Sequence, residues 1–301
     1  MAHKSAVRSI ERVVTETVTP TPPEKALERI LEQLRDPQTL IVTGAGVSTD
    51  SGIPDYRSKH GRLTKGRPMT FQEFAHAPEQ VKRYWARAFV GMQFMRAAAP
   101  NRTHFALVEL ERAGLIRGIV TQNVDGLHKE AGTEHLIALH GDMEHVVCLD
   151  CGTMHERSLI DDLLLTANPT FFESVEITGS MINPDGDVEL RQEDVERFHM
   201  ITCPTCGGMR LKPNVVYFGE NVPKQRRAQA DRWLAESTGV LAIGTSLAVM
   251  SGYKFVIDAL KQGKPASVIN GGPGRADGKA TTVWRTRVGD AMDQILDGLG
   301  L

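Results

Sequence analysis

Short β-branched apolar runs recur along the chain, separated by stretches with helical spacing. Leu40-Ile41-Val42-Thr43, Gly118-Ile119-Val120-Thr121, Ile137-Ala138-Leu139, Val215-Val216-Tyr217, Val240-Leu241-Ala242-Ile243 and Ala266-Ser267-Val268-Ile269 read as strands. Ala26, Leu27, Ile30, Leu31 and Leu34 mark one face of a helix that Asp36-Pro37 stops. Thr103 to Arg112 reads as another helix, with Gly114 past its end, and residues 251–262 as a third. Such alternation predicts an α/β fold: a Rossmann-like parallel sheet with helices on both faces. Ligands bind such sheets outside the carboxyl ends of the strands. The segments that leave those ends are polar and rich in glycine: Gly44 to Arg57, Gln122 to His128, His140-Gly141, Gly244 to Ser246, and Asn270-Gly271.

Two stretches interrupt the alternation. Residues 58–102 lack strands and hold a helical run, Gln80 to Ala98, with Trp85, Phe89, Met92 and Met95 among its apolar positions. Residues 146–212 carry all four cysteines and read as a small separate module. Residues 1–23 end in Thr-Pro-Thr-Pro-Pro, hold few large apolar side chains and read as a mobile arm. The sheet domain is then assembled from 24–57, 103–145 and 213–301, with 58–102 as a helical insertion.

With 41% apolar and 24% charged residues in 301, the composition is that of a globular protein. The net charge of −2 gives no electrostatic reason to expect nucleic acid or an anionic membrane as a partner. The longest apolar stretch, Gly239 to Met250, is broken by Thr245 and Ser246, too short to span a bilayer. No apolar leader core follows Lys4 and Arg8, so a secretory signal is not expected and the cytosol is the expected compartment.

The cysteines form two C-x-x-C pairs, Cys148/Cys151 and Cys203/Cys206, which suggest one metal ion before disulfides. Four thiolates complete a tetrahedral zinc shell and leave no position for water, so the ion would be structural. Gly152 and Gly207-Gly208 suit the tight turns of zinc knuckles. The intervening residues exceed a simple ribbon, so an insertion from Asn168 to Met200, turning at Asn183-Pro184-Asp185-Gly186, is expected to bulge from the module.

After the first strand comes Gly44-Ala45-Gly46-Val47-Ser48-Thr49-Asp50-Ser51-Gly52-Ile53-Pro54-Asp55-Tyr56-Arg57. Two glycines permit a sharp turn and close approach to a pyrophosphate. A dehydrogenase fingerprint would have glycine at position 49, where Thr49 stands, and a second strand ending in an acid. Their absence counts against hydride transfer.

Together with TQNVDGLH, Leu139-His140-Gly141, the cysteine pairs, KPNVVYFGE, GTS and VIN, this segment resembles the sirtuins, NAD-dependent protein deacylases, from about Leu40 to Asn270. Tyr56, the Tyr84-Trp85-Ala86-Arg87 string and the Pro184-Asp185-Gly186-Asp187-Val188 insertion resemble the class II branch that includes mitochondrial sirtuin-4.

The resemblance implies cleavage of the nicotinamide–ribose bond of NAD and transfer of the acyl group from lysine to ADP-ribose. It implies His140 as general base, at a strand end and titrating near working pH. Asn123 and Asp125 would hold the nicotinamide side with Gln122, Ile53 and Asp55, although an aspartate there also suits a helix cap. Gly44, Ala45, Gly46, Ser48, Tyr56, Arg57, Gly244, Thr245, Ser246, Asn270, Gly271 and Val288 complete the nucleotide site. An acyl-lysine peptide would add a strand along Val216, Phe218, Gly219 and Glu220. Tyr84 and Arg87, one turn apart, match a pair that reads an acidic acyl tail, or else form an ion-paired helix face. The alternatives are an ADP-ribosyltransferase or lipoamidase on the same NAD site, and a zinc-containing binding module without catalysis.

Overall fold

The computed structural model describes residues 2–58, 60–64, 67–176, 183 and 185–301. Strand β1 (Thr39–Thr43) is buried at all five positions, as a strand covered on both faces must be. It pairs in parallel with β2 (Ile116–Thr121), which pairs with β3 (Leu136–Ala138). Two antiparallel partners of a separate sheet follow, β4 (Gly141–Cys148) and β5 (Met154–Glu156), with β6 (Leu211–Val215) on the other side of β4. Then β7 (Val240–Ile243), β8 (Ala266–Ile269) and β9 (Thr282–Trp284) complete a six-stranded parallel sheet of order β3-β2-β1-β7-β8-β9.

The helices are α1 (Ala2–Ile10), α2 (Pro23–Arg35), α3 (Phe71–His76), α4 (Pro78–Ala97), α5 (Arg102–Arg112), α6 (Leu127–Glu130), α7 (Arg157–Ala167), α8 (Gln192–Arg197), α9 (Lys224–Glu236), α10 (Met250–Lys261) and α11 (Val288–Leu299). Period-two alternation sorts the two faces of the large sheet. Ile41, Ile119, Leu241 and Ile269 pack with Ile30 and Leu34 of α2, Leu107 of α5 and Ile295 of α11. Leu40, Val42, Val120 and Val268 turn the other way, against Leu234 of α9 and Phe255 of α10. Among the described residues no helix is long and apolar enough to cross a membrane.

The remaining helices build the second lobe. Trp85 and Phe89 of α4 share one core with Cys148, Ile160, Phe171, Phe198 and Cys203. The helical insertion and the cysteine region therefore pack as a single body, stapled where Trp85 Nε1 donates to the Leu211 carbonyl at 2.8 Å.

Several sequence expectations are corrected. The strand expected at 215–217 is Leu211–Val215 and belongs to the small antiparallel sheet. Strands β4, β5 and β9 have no counterpart in the sequence reading; β4 carries Glu144 and His145 in mid-strand, and β5 and β9 are three residues each. The segment expected as a mobile arm begins with α1 and buries Ile10 and Val14. Arg57 donates to the Ile10 carbonyl at 2.8 Å, and the Thr21 amide to Val283 at 2.8 Å, which fixes its backbone. The described residues of the 168–200 insertion fold back instead of bulging. Phe171, Val195 and Phe198 are buried, and the Gly186 carbonyl lies so close to α4 that a Cβ on Gly91 would stand 2.2 Å from it. Its turn closes through the Gly186 amide on the Asn183 carbonyl at 3.0 Å; Pro184 lies outside the described residues.

Gly141 makes the corner between the two sheets. Its φ is +90°, and a Cβ there would sit 1.8 Å from the Asn214 carbonyl oxygen. Both backbone strain and overlap follow from any side chain at this position. Gly141→Ala is expected to cost about 3 kcal/mol or more, read as a lower denaturant midpoint, whereas an alanine at open Gly263 lacks the overlap penalty.

Candidate active site

Strand register sets the site. Thr43 pairs with Thr121 on one side and Ile243 on the other, and Ile243 pairs with Ile269. The segments beginning at Gly44, Gln122, Gly244 and Asn270 thus leave the sheet side by side. Strand order reverses between β1 and β7, the switch point at which a parallel sheet opens a ligand crevice.

A cavity of about 1300 Å³ lies there. Every residue expected at the nucleotide, base and peptide positions lines it, with Arg87 the exception. The backbone of the first turn packs directly on the Gly244 turn: a Cβ on Gly46 would lie 2.8 Å from the Gly244 carbonyl oxygen, and one on Gly44 would lie 2.7 Å from the Cβ of Thr245, whose side chain fills that space. The lining offers hydroxyls and amides from Ser48, Gln122, Asn123, Thr245, Ser246 and Asn270, with cations that include Arg57 and Arg287. That donor set suits sugar hydroxyls and a pyrophosphate, and the volume admits a dinucleotide together with a lysine chain. The residues fit NAD.

Side chains knit the loops before any ligand arrives. Asn123 Nδ2 donates to the Gly44 carbonyl at 3.2 Å and to Ser48 Oγ at 3.1 Å. Ser48 Oγ donates to Asp125 at 2.7 Å, and the other Asp125 oxygen accepts the Leu127 amide at 3.0 Å. Asp125 therefore both caps the turn into α6 and anchors the glycine loop. Gln122 Nε2 reaches Thr245 Oγ1 at 2.9 Å, joining the turns after β2 and β7. Asn101, at the start of α5, donates to the Val47 carbonyl at 2.8 Å and Ser51 Oγ at 2.9 Å. Burial raises the Asp55 carboxyl above its ordinary value.

His140 sits where the chain passes from the large sheet to the small one. Its Nδ1 is 3.0 Å from the Gln122 carbonyl, which only accepts, so Nδ1 carries the proton and Nε2 the lone pair. Nε2 meets Ser251 Oγ, at the start of α10, at 2.8 Å. Part of the ring faces the cavity, yet protein surrounds it, and that burial lowers the pKa to about 4, with the Arg226 charge adding. The imidazole is consequently neutral at pH 7, as a base must be. Its carbonyl accepts the Val216 amide at 2.7 Å, tying the base to the expected peptide strand.

Other placements depart from the sequence picture. Tyr84 lines the cavity, but Arg87 points into a side cavity and pairs with Asp187 at 3.1 Å and Glu189 at 3.0 Å. The Phe218 carbonyl accepts the Phe71 amide at 2.9 Å, so part of the expected peptide edge already has a partner within the chain. Ser251, Lys254, Arg227 and Asp231 also line the cavity and were missed; they sit on helices whose local sequence carries no motif.

The four cysteine sulfurs lie within 4.8 Å of one another, with Cys148–Cys206 at 3.7 Å and Cys151–Cys203 at 4.0 Å. A tetrahedral zinc with Zn–S near 2.3 Å requires sulfurs about 3.8 Å apart. The cluster fits one zinc ion, and Gly152 and Gly207, at φ of +76° and +73°, make the expected left-handed turns. His155 Nε2 stands 3.3 Å from Cys203 Sγ, in reach to steady that ligand.

Comparison with known proteins agrees with this geometry. The Sir2 family matches residues 44–251. NAD-dependent protein deacetylase 1 of Corynebacterium efficiens is 58% identical over 276 residues, 92% of this chain and 98% of that one. The human mitochondrial NAD-dependent protein lipoamidase sirtuin-4 is 40% identical over 279 residues, 92% and 87% of the two chains. A solved Sir2 complex with a p53 peptide and NAD+ superposes with a TM-score of 0.71 at 26% identity, covering 91% of this chain and 98% of that one. A glycine turn at a switch point, a neutral histidine over the crevice, a four-thiolate cluster and these relatives lead to one conclusion: the chain belongs to the Sir2 family.

Proposed function

We propose that the chain is an NAD-dependent protein-lysine deacylase that moves the acyl group from a lysine side chain to ADP-ribose and releases nicotinamide. The observation that carries this reading is His140, held neutral with its Nε2 lone pair on the wall of a cavity large enough for NAD and an acyl-lysine. NAD, when bound, supplies an ADP-ribosyl group as acceptor on loss of its nicotinamide.

The chain's own residues do the rest. The Gly44–Gly46 and Gly244–Ser246 turns hold the pyrophosphate and adjoining ribose, and Asn270, Gly271 and Val288 take the adenosine half. Asn123, Asp125 and Ile53 position the nicotinamide end and exclude water from it. The Gln122 carbonyl keeps Nδ1 protonated, so His140 accepts a proton at Nε2 from a ribose hydroxyl that takes the place of Ser251 Oγ at that nitrogen. Val216, Phe218, Gly219 and Glu220 receive the peptide beside it, and the zinc cluster holds the strand that carries His140 into the second lobe.

The test is an acetyl-lysine peptide incubated with NAD and followed by mass. Nicotinamide, free lysine peptide and O-acetyl-ADP-ribose are expected in equal amounts, with one water consumed per turnover as the amine leaves. A gain of ADP-ribose mass on the protein or peptide, with the acyl group retained, would instead mean ADP-ribosyl transfer. Asn123→Ala is expected to lower kcat/KM for NAD by about 100-fold, since the two loops lose their shared tie as well as a ligand contact.

A further inference from the structure

We infer that the mouth of the cavity between α9 and α10 receives the residues that flank the acyl-lysine and selects acidic ones, with Lys224 and Lys254 as the selecting charges. The inference rests on the deacylase reading and adds the kind of peptide that the site takes.

Two helices present one face each to the cavity. On α9 the lining positions are 224, 227, 228 and 231, the spacing of a single helix face, and on α10 they are 250, 251 and 254. Those faces meet beside the reacting centre. Ser251 Oγ lies 2.8 Å from His140 Nε2, and the Ser251 carbonyl accepts from Arg227 Nη1 at 3.2 Å. The edge expected to take the peptide, Val216 to Glu220, runs on through Asn221 and Val222 toward Lys224 at the start of α9, and all of these positions line the same cavity. A peptide laid on that edge with its acyl-lysine at His140 thus has α9 and α10 beside its flanking residues.

The charge on these two faces is unbalanced. Lys224, Arg227 and Lys254 stand against one acid, Asp231, which is taken by Arg227 at 2.6 Å. Arg227 also lies 4.6 Å over the Phe255 ring, so it holds the two helices together and leaves recognition to the lysines. Lys224 has no ion pair among the described residues, and Lys254 has only Asp258, at 3.8 Å and off the cavity wall. Both lysines are exposed. The acid on the peptide edge does not offset them: Glu220 is held by Lys212 Nζ at 3.1 Å and by the Tyr217 amide at 2.9 Å. The other acids of the cavity wall sit elsewhere, Asp50 and Asp55 after β1, Asp125 after β2 and Asp185 in the insertion.

Reach agrees with this placement. Lys254 stands three positions along α10 from Ser251, about 4.5 Å of axial rise, and an extended peptide advances about 3.3 Å per residue. Acids two to four residues from the acyl-lysine therefore come alongside the helix faces. Exposed pairs of this kind are individually weak, so a few charges act together and salt weakens them.

The experiment uses the full chain with saturating NAD and acetyl-lysine peptides in one serine-glycine host. The peptides carry aspartates two to four residues before the lysine, aspartates after it, lysines at the same places, or neither. At about 50 mM salt at least one acidic peptide is expected to exceed the neutral host in kcat/KM by about fivefold, the ratio shrinking toward one at about 1 M salt. Lys224→Ala with Lys254→Ala is expected to bring the acidic-to-neutral ratio near one, and Lys224→Glu with Lys254→Glu to put the basic peptide first. Acidic peptides no better than the host, or a preference that the alanine pair leaves intact, overturns the inference. So does a rise in KM for NAD in the alanine pair with the peptide ratio unmoved, which would assign the lysines to the pyrophosphate. If no peptide is turned over, the neutral host included, the deacylase reading falls and takes this inference with it; turnover of the host without an acidic preference overturns this inference alone.

Discussion

His140→Ala is expected to lower kcat/KM for an acyl-lysine peptide by at least about 10³-fold, the range for removal of a positioned general base. The fold should survive. The lost contacts are one hydrogen bond to a backbone carbonyl and one to the Ser251 hydroxyl, while the backbone link to Val216 does not involve the ring. Measured in parallel, zinc content and thermal midpoint should stay near those of the unaltered protein; a fully active His140→Ala protein would remove His140 from the reaction.

The same residue sets the pH response. With a pKa of about 4 in the folded protein, Nε2 remains unprotonated through neutrality, so the acidic limb of kcat/KM should fall near pH 4 to 5 and not near 6.5. An inflection near 6.5 would mean that burial does not depress the group. Stability follows with a definite sign. His140 and His128, whose pKa burial lowers to about 3, stay neutral when folded while the unfolded chain takes up protons below about 6.5. The unfolded state then holds more protons, so stability is full above that pH and is lost as pH falls toward 4. Denaturant midpoints between pH 7 and 5 measure this decline.

Loss of the zinc site is the second large effect. Cys203→Ser, or removal of the ion by a strong chelator, is expected to melt the β4-β5-β6 sheet and abolish activity. Binding of a structural zinc in small zinc-finger modules is worth about 10–16 kcal/mol at pH 7, as large as the whole stability of a typical domain, about 5–15 kcal/mol. The loss should spread. Cys148 ends the strand that Gly141 begins, Cys203 lies in the core that holds Trp85, and Trp85 is bonded to Leu211 on β6. Unfolding the small sheet therefore frees the chain that follows His140 and the Val216 segment bonded to its carbonyl. Elemental analysis should find one zinc per chain, and Trp85 fluorescence should change as the ion leaves. A Cys203→Ser protein that keeps a folded second lobe and full turnover would show the cluster to be dispensable.

Much of this site is visible in the sequence because the chemistry collects where strands stop. A buried strand announces itself by a β-branched run, and the glycines and polar residues after it are local in sequence, so Gly44–Ser48, Gln122–Asp125 and Gly244–Ser246 could be placed without coordinates. The cysteine pairs are legible for the same reason: two thiolates three positions apart already fix half a tetrahedron. Strand β4 is harder to see. It interposes Glu144 and His145 between apolar residues and finds its partner, β6, some seventy positions later. The N-terminal segment misled for a different reason: it buries only a few apolar side chains, Ile10 and Val14 among them, and its backbone is held by partners far along the chain, Arg57 and Val283.

By itself, then, the sequence determined the kinds of element, the loops that carry the ligand groups, and the zinc ligands, because each depends on residues within a few positions of one another. Only the tertiary structure decided that Gln122 fixes the tautomer of His140, that Ser251 meets its other nitrogen, and that Asp187 and Glu189 claim Arg87. Those pairs are separated by 18, 111 and about 100 residues. Their meeting follows from strand register and from how the insertion packs on α4, and no local periodicity records either.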